Sequence, residues 1–215
     1  MLTKKLLPLA AAAGLALGAA SASAEISGNV ALTTDYKFRG ISQSDESPAI
    51  QGGFDYNHDS GFYIGAWGSS VDFDTNGGGY DGSLELDIYA GFGGSFGDSD
   101  FGYDIGVMAY TYPGDNGAEG DYNEIYGGLS WKDLSVSMAY SDDYYAETGK
   151  FYYLAGDYSY GFADIWTLDL HVGLNSFDEA DAFLSDGADE YIDYSVGISV
   201  SVVGVDLSLA YVGTD

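Results

Sequence analysis

The sequence predicts an all-β protein, a transmembrane up-and-down antiparallel β-barrel of about twelve strands. Three observations predict it. Apolar and polar residues alternate one by one in segment after segment, the period of a strand whose two faces meet different surroundings. The connections between these segments alternate long and short along the whole chain. The composition is rich in Gly (32) and Tyr (20), poor in Pro (3) and free of Cys, which suits many short strands and excludes a disulfide scaffold.

The segment Tyr191–Tyr211 shows the alternation most plainly. Ile192, Tyr194, Val196, Ile198, Val200 and Val202 form one face, and Asp193, Ser195, Gly197, Ser199 and Ser201 the other. After Val203-Gly204 the apolar face resumes with Val205, Leu207, Leu209 and Tyr211. Residues flanking a two-residue hairpin share a face, and Val202 with Val205 obeys that rule. The result is a continuous ribbon with a bulky apolar side and an acidic polar side, as expected of a sheet with lipid outside and water inside.

From the start of the chain, Met1–Ala24 reads as a signal peptide: Lys4-Lys5, an apolar middle and the small-residue site Ala22-Ser23-Ala24. The barrel then occupies residues 25–215. A first long strand sets Ile26, Val30, Leu32, Thr34, Tyr36 and Phe38 against Ser27, Asn29, Ala31, Thr33, Asp35, Lys37 and Arg39, followed by a polar loop over Gly40–Ser47. Ile50–Asn57 is the second strand, and the third, Phe62–Val71, is ambiguous because both of its faces are apolar or small. Further strands begin near Leu84, Tyr103, Glu124, Leu134, Lys150, Trp166 and Tyr191. The turn Gly161–Asp164 does not join its two apolar faces in phase, which calls for a bulge or another turn length. Asp72–Gly82, Pro113–Asp121, Ser141–Gly149 and Phe177–Glu190 are long connections; those at His58, Ser95, Lys132, Gly161 and Val203 are short. Sorting of this kind belongs to a barrel with short periplasmic turns and long outer loops rather than to a Greek-key sandwich. Tyr36, Tyr56, Trp67, Trp131, Tyr140, Tyr158, Trp166, Tyr194 and Tyr211, near strand ends, are expected in interfacial girdles. Eleven strands are visible, whereas bacterial barrels have even numbers, so a final strand is expected to be missing from this chain.

The segments Pro48–Tyr56, Ser60–Phe73, Leu84–Gly94, Tyr103–Gly114, Tyr122–Gly128 and the closing hairpin resemble the TorF family of porins, outer-membrane proteins of Gram-negative bacteria. The resemblance spans nearly all of Glu25–Asp215. It implies an outer-membrane channel-type barrel with no catalytic residues to carry over. Similar members continue past Gly213-Thr214-Asp215 with another strand.

On the polar face the alternation places Asp35, Lys37, Arg39, Asp55, Glu85, Asp87, Asp104, Glu124, Asp157, Asp169, His171, Asp193 and Asp206, the expected lumen lining. Carboxylates dominate it, so a water-filled lumen favours cations, and the expected function is passive diffusion of small cationic or neutral solutes. The opposing reading is an interior filled by these carboxylates and by lumen tyrosines such as Tyr89, Tyr110 and Tyr126, making a non-conducting structural or adhesin-type barrel. The formal net charge of −28 excludes a nucleic-acid surface, which needs Lys and Arg. The acidic long loops are expected to be solvated, or to hold divalent cations that bridge to lipopolysaccharide. Asn76–Asp81 resembles a single copy of a glycine-aspartate calcium repeat that works only in stacks. No cofactor motif, metal site or catalytic set is expected. His58 lies in a short turn, and His171, beside Asp169 and Gly173, has no serine in a recognisable motif with it.

Overall fold

The computed structural model describes residues 25–73, 82–114, 120–180, 183–184 and 187–215. The expected signal peptide and the Asn76–Asp81 stretch lie outside them. The strands are β1 (Glu25–Thr33), β2 (Lys37–Phe38), β3 (Ile41–Ser42), β4 (Ala49–Asn57), β5 (Phe62–Ser70), β6 (Leu84–Ser95), β7 (Phe101–Thr111), β8 (Tyr122–Trp131), β9 (Leu134–Ser141), β10 (Phe151–Phe162), β11 (Trp166–Phe177), β12 (Glu190–Val202) and β13 (Val205–Thr214). All but β2 and β3 join one eleven-stranded antiparallel sheet in which each strand pairs with the next in sequence. This is an up-and-down barrel wall. It is not closed, because β1 and β13 are its two edges and do not pair with each other.

Register follows the alternation. Val202 pairs with Val205 and Trp131 with Leu134, so both tight hairpins keep their apolar residues on the outer side. At that side Val30, Leu32 and Phe54 are 77%, 82% and 73% exposed, while the inward residues of the same sheet, Glu85 and Asp87 among them, are buried. An apolar exterior around a polar interior inverts the layout of a water-soluble domain. Paired rings lie near both rims of the outer face, Phe101 stacked on Trp131 at 6.0 Å and Tyr140 tilted against Tyr152 at 5.1 Å. Phe162 pairs with Trp166 across a three-residue turn, Ala163–Ile165, with Ala163 and Asp164 in the left-handed region. That different turn length brings the two apolar faces into phase. The ambiguous third strand resolves with Gly65 and Ser69 buried inward and Ile64 outward.

The first strand departs from expectation. It ends at Thr33 instead of running on to Arg39, and residues 34–48 fold into the barrel, where β2 and β3 make a small hairpin of their own. Tyr36 and Phe38, expected to face outward, are 3% and 7% exposed. The Gly40–Ser47 loop is therefore part of an inward segment and not an outer loop. Trp67, expected in a girdle, packs edge-on against Tyr36 at 5.5 Å inside the barrel. The physical reason is that tyrosine, phenylalanine and tryptophan can bury their rings equally well against an aromatic interior.

Candidate functional site

The interior is built in two levels. At the long-loop end, the tips of β7, β8, β10 and β11 bring Tyr110, Tyr122, Phe151 and Phe177 together with Tyr144 of the β9–β10 connection, and the inward segment inserts Tyr36 and Phe38 among them. Rings meet at short range, Tyr144 on Phe151 at 4.1 Å and Tyr110 on Tyr122 at 4.4 Å. Within these rings lies a buried pair of charges. Arg39 Nη1 and Nη2 donate to Glu124 Oε1 and Oε2 at 2.7 and 2.9 Å, a two-pronged pair that is buried on both sides. The rings of Tyr153, Phe38 and Phe151 lie 4.4, 4.6 and 4.7 Å from the guanidinium carbon, where cation–π attraction offsets part of its lost hydration. Tyr110 and Tyr191 complete the setting, Tyr110 donating its hydroxyl to Glu124 at 3.1 Å and Tyr191 to the Arg39 carbonyl at 3.0 Å.

Glu85 and Asp87 of β6 stand at the level of this layer, Asp87 directly opposite Tyr110 in the register. The phenols of Tyr36 and Tyr112 hydrogen-bond Glu85, but Glu85 Oε2 and Asp87 Oδ1 are buried and have no hydrogen-bond partner. Asp35 sits at the exposed side of the inward segment, paired with Lys37 at 2.8 Å and accepting from Ser42 Oγ at 2.7 Å. Its partial burial works to raise its pKa, and the Lys37 ammonium and Ser42 hydroxyl outweigh that and hold it below the usual carboxylate range.

The lower level is a belt of tyrosines laid flat on glycines. A β-carbon on Gly65 would meet the ring of Tyr89 at 2.5 Å. Tyr63 covers Gly91, Tyr126 covers Gly106 and Tyr153 covers Gly173 in the same way. Each phenol then reaches a carboxylate or another phenol. Tyr89 donates to Asp55, Tyr63 donates to Asp104 at 2.8 Å and lies 2.7 Å from the Tyr126 hydroxyl. On the opposite wall His171 Nδ1 is 2.6 Å from Asp157 and Nε2 is 2.8 Å from Asp193, with Tyr153 3.0 Å from Nε2. Asn175 donates to Asp193 at 2.7 Å. Because both imidazole nitrogens face carboxylates, which only accept, neither is left free for a substrate. Nearer the short turns Asp169 accepts from Ser159 at 2.6 Å and Ser199 at 3.0 Å. Asp206, on the edge strand β13, is exposed and accepts from Ser201.

Of the expected lining, Glu85, Asp87, Asp104, Glu124 and Asp193 are buried inside and Asp55, Asp157, Asp169 and His171 belong to the interior belt or to the level below it. Arg39 reaches the interior from the inward segment rather than from a wall strand, Asp35 and Lys37 pair at the exposed side of that segment, and Asp206 stands apart at the edge. The glycine seats of the tyrosines were missed. Glycines spaced along the polar face opposite tyrosines of neighbouring strands were the signal that would have revealed them.

A family model of bacterial proteins of unknown function, Gcw_chp, matches residues 17–215. The chain belongs to that family. No curated protein matches the sequence. Among solved structures it is similar to a KdgM porin, at 14% identity and a TM-score of 0.52 over 77% of this chain and 84% of that one. A KdgM porin in complex with disordered oligogalacturonate matches at 12% identity and a TM-score of 0.52, covering 88% of this chain and 91% of that one. A NanC porin matches at 10% identity and a TM-score of 0.53, covering 88% and 87%. At these identities the likeness carries the fold, which is porin-like; the family that matches is Gcw_chp, and the TorF name does not appear among these matches.

Proposed function

We propose that this member of the Gcw_chp family is a porin-like channel of the Gram-negative outer membrane, exported by cleavage after Ala24, through which small cationic or neutral solutes diffuse. The observation that carries the reading is the charge of the interior. Lys37, Arg39 and His171 are each already paired with carboxylates, while Asp55, Asp104 and Asp169 have no ion pair among the described residues. Such an excess of carboxylates attracts cations and repels anions. It also opposes a polyanion such as the oligogalacturonate bound by one of the structural neighbours, so solute choice does not follow from the shared fold. The acidic outer loops belong to the same reading, with divalent cations bridging them to lipopolysaccharide phosphates.

Planar-bilayer recording in a salt gradient tests the proposal. A reversal potential of cation-preferring sign is expected, and anion preference or a complete absence of current overturns it. A second reading, a non-conducting barrel, draws support from the buried aromatic layer at the long-loop end, and it predicts no current under any condition.

A further inference from the structure

We propose that residues 34–48 are a gate across the long-loop mouth of the barrel, latched by Arg39 on Glu124; the inference rests on the channel reading above. The wall does not need this segment. β1 and β4 pair residue for residue from Glu25 with Asn57 to Thr33 with Ala49, so the chain between them can leave the interior without breaking a rung of the sheet. The segment pairs in turn with itself, Lys37 with Ser42 and Phe38 with Ile41. Among the described residues its backbone pairs with the connections of the wall strands at Ser44, which bridges to Asp72, and at Gln43, whose carbonyl accepts from Asp72 N at 2.8 Å. Beyond these and the Tyr191 hydroxyl on the Arg39 carbonyl, it is held among the described residues by side-chain contacts, the buried Arg39–Glu124 pair chief among them.

Two features set the closed arrangement close in energy to an open one. Arg39, Asp45 and Glu46 are non-glycine residues with φ of 48°, 47° and 54°, a left-handed conformation that is unfavourable for side-chain-bearing residues and that persists only where surroundings enforce it. Within the layer that the segment joins, Glu85 Oε2 and Asp87 Oδ1 are buried and have no hydrogen-bond partner, a cost that is relieved when water reaches them. Against these stand the ring contacts of Tyr36 and Phe38 and the ion pair, whose two prongs are both matched and offset the cost of burying the charges. A segment strained in its backbone, packed beside carboxylate oxygens without partners and held by a buried ion pair is built to have two positions.

The test uses the full mature chain in planar bilayers. Removing both charges with Arg39→Gln/Glu124→Gln avoids stranding one buried ion, and is expected to raise the open fraction roughly tenfold or more. A lock is available because the chain has no Cys: Ser44→Cys/Asp72→Cys joins bridge partners, whose spacing suits a disulfide. The oxidised lock should be silent, and reduction should restore the wild-type record. A readout without current is Trp67, left as the sole tryptophan by Trp131→Phe and Trp166→Phe; acrylamide should quench it more strongly once the latch is neutral. Equal open fractions in wild type, neutral variant and oxidised lock, with equal quenching, overturn the gate and leave the channel standing. Absence of current even when residues 34–48 are replaced by a short glycine-serine hairpin overturns the channel reading, and the gate falls with it.

Discussion

The ring of Tyr89 occupies the place where a β-carbon of Gly65 would stand, 2.5 Å from where that atom would be built. Glycine at this wall position is thus part of the tyrosine's seat, and the ring in turn carries the hydroxyl to Asp55. Gly65→Ala is expected to force the ring off the wall and to lower stability by about 1–3 kcal/mol. Tyr89→Ala in the same chain should recover part of the loss, because the clash is removed. A double-mutant cycle on urea unfolding from lipid vesicles measures the coupling, and additive losses would show that ring and glycine are independent.

His171 bridges two carboxylates, and one of them, Asp193, is buried. His171→Gln strands that charge and is expected to cost about 3 kcal/mol, the range for removing one partner of a buried pair. His171→Gln combined with Asp193→Asn should cost less than the single change. The urea midpoints of the two variants check the order.

Val203 sits at φ 54° beside Gly204 at φ 79°, the geometry of a two-residue turn that favours Asn-Gly. It is 98% exposed, so its side chain contributes no packing. Val203→Asn relieves a β-branched residue of a left-handed backbone and should raise stability by roughly 0.5–1 kcal/mol, seen as a higher thermal midpoint in detergent.

Asp35 gives the inward segment an acid-sensitive contact. Its folded pKa lies below the ordinary value of 3.8, so the stabilisation is fully present above that value and is lost as pH falls through the lowered one. Acrylamide quenching of Trp67 should therefore rise in strong acid, and in Asp35→Asn the acid-dependent part attributable to this contact should vanish.

Asp104 stands in the belt without a cation partner, accepting from Tyr63. Asp104→Asn keeps an acceptor for that hydroxyl and removes a charge, so cation preference is expected to fall by about twofold at unchanged stability. The reversal potential in a salt gradient reads the change.

The wall was legible because lipid-type exposure writes itself as period-two alternation and because hairpins such as Trp131 to Leu134 must keep phase. Tyr36 and Phe38 escaped because the same alternation continues past Thr33, and period alone cannot tell an outer face from an aromatic interior. Pro48 offered a clue. It has no amide hydrogen for a ladder, so β4 starts only at Ala49 and its partner β1 can pair no further than Thr33. The carboxylates of the polar face could be placed on their side of the sheet from sequence, but not their partners. The pairing of Arg39 with Glu124 spans 85 positions and that of Tyr191 with Arg39 spans 152, separations over which local pattern carries no information.

Those two separations also set an order in time. Each wall strand zips onto its sequence neighbour, a local event that closes only a small loop of chain, whereas Tyr191 cannot receive the Arg39 carbonyl before β12 has arrived. Assembly should consequently finish with residues 34–48 settling against the assembled wall, and a fluorescence change of Trp67 should trail the appearance of β-structure by circular dichroism when the chain refolds into vesicles.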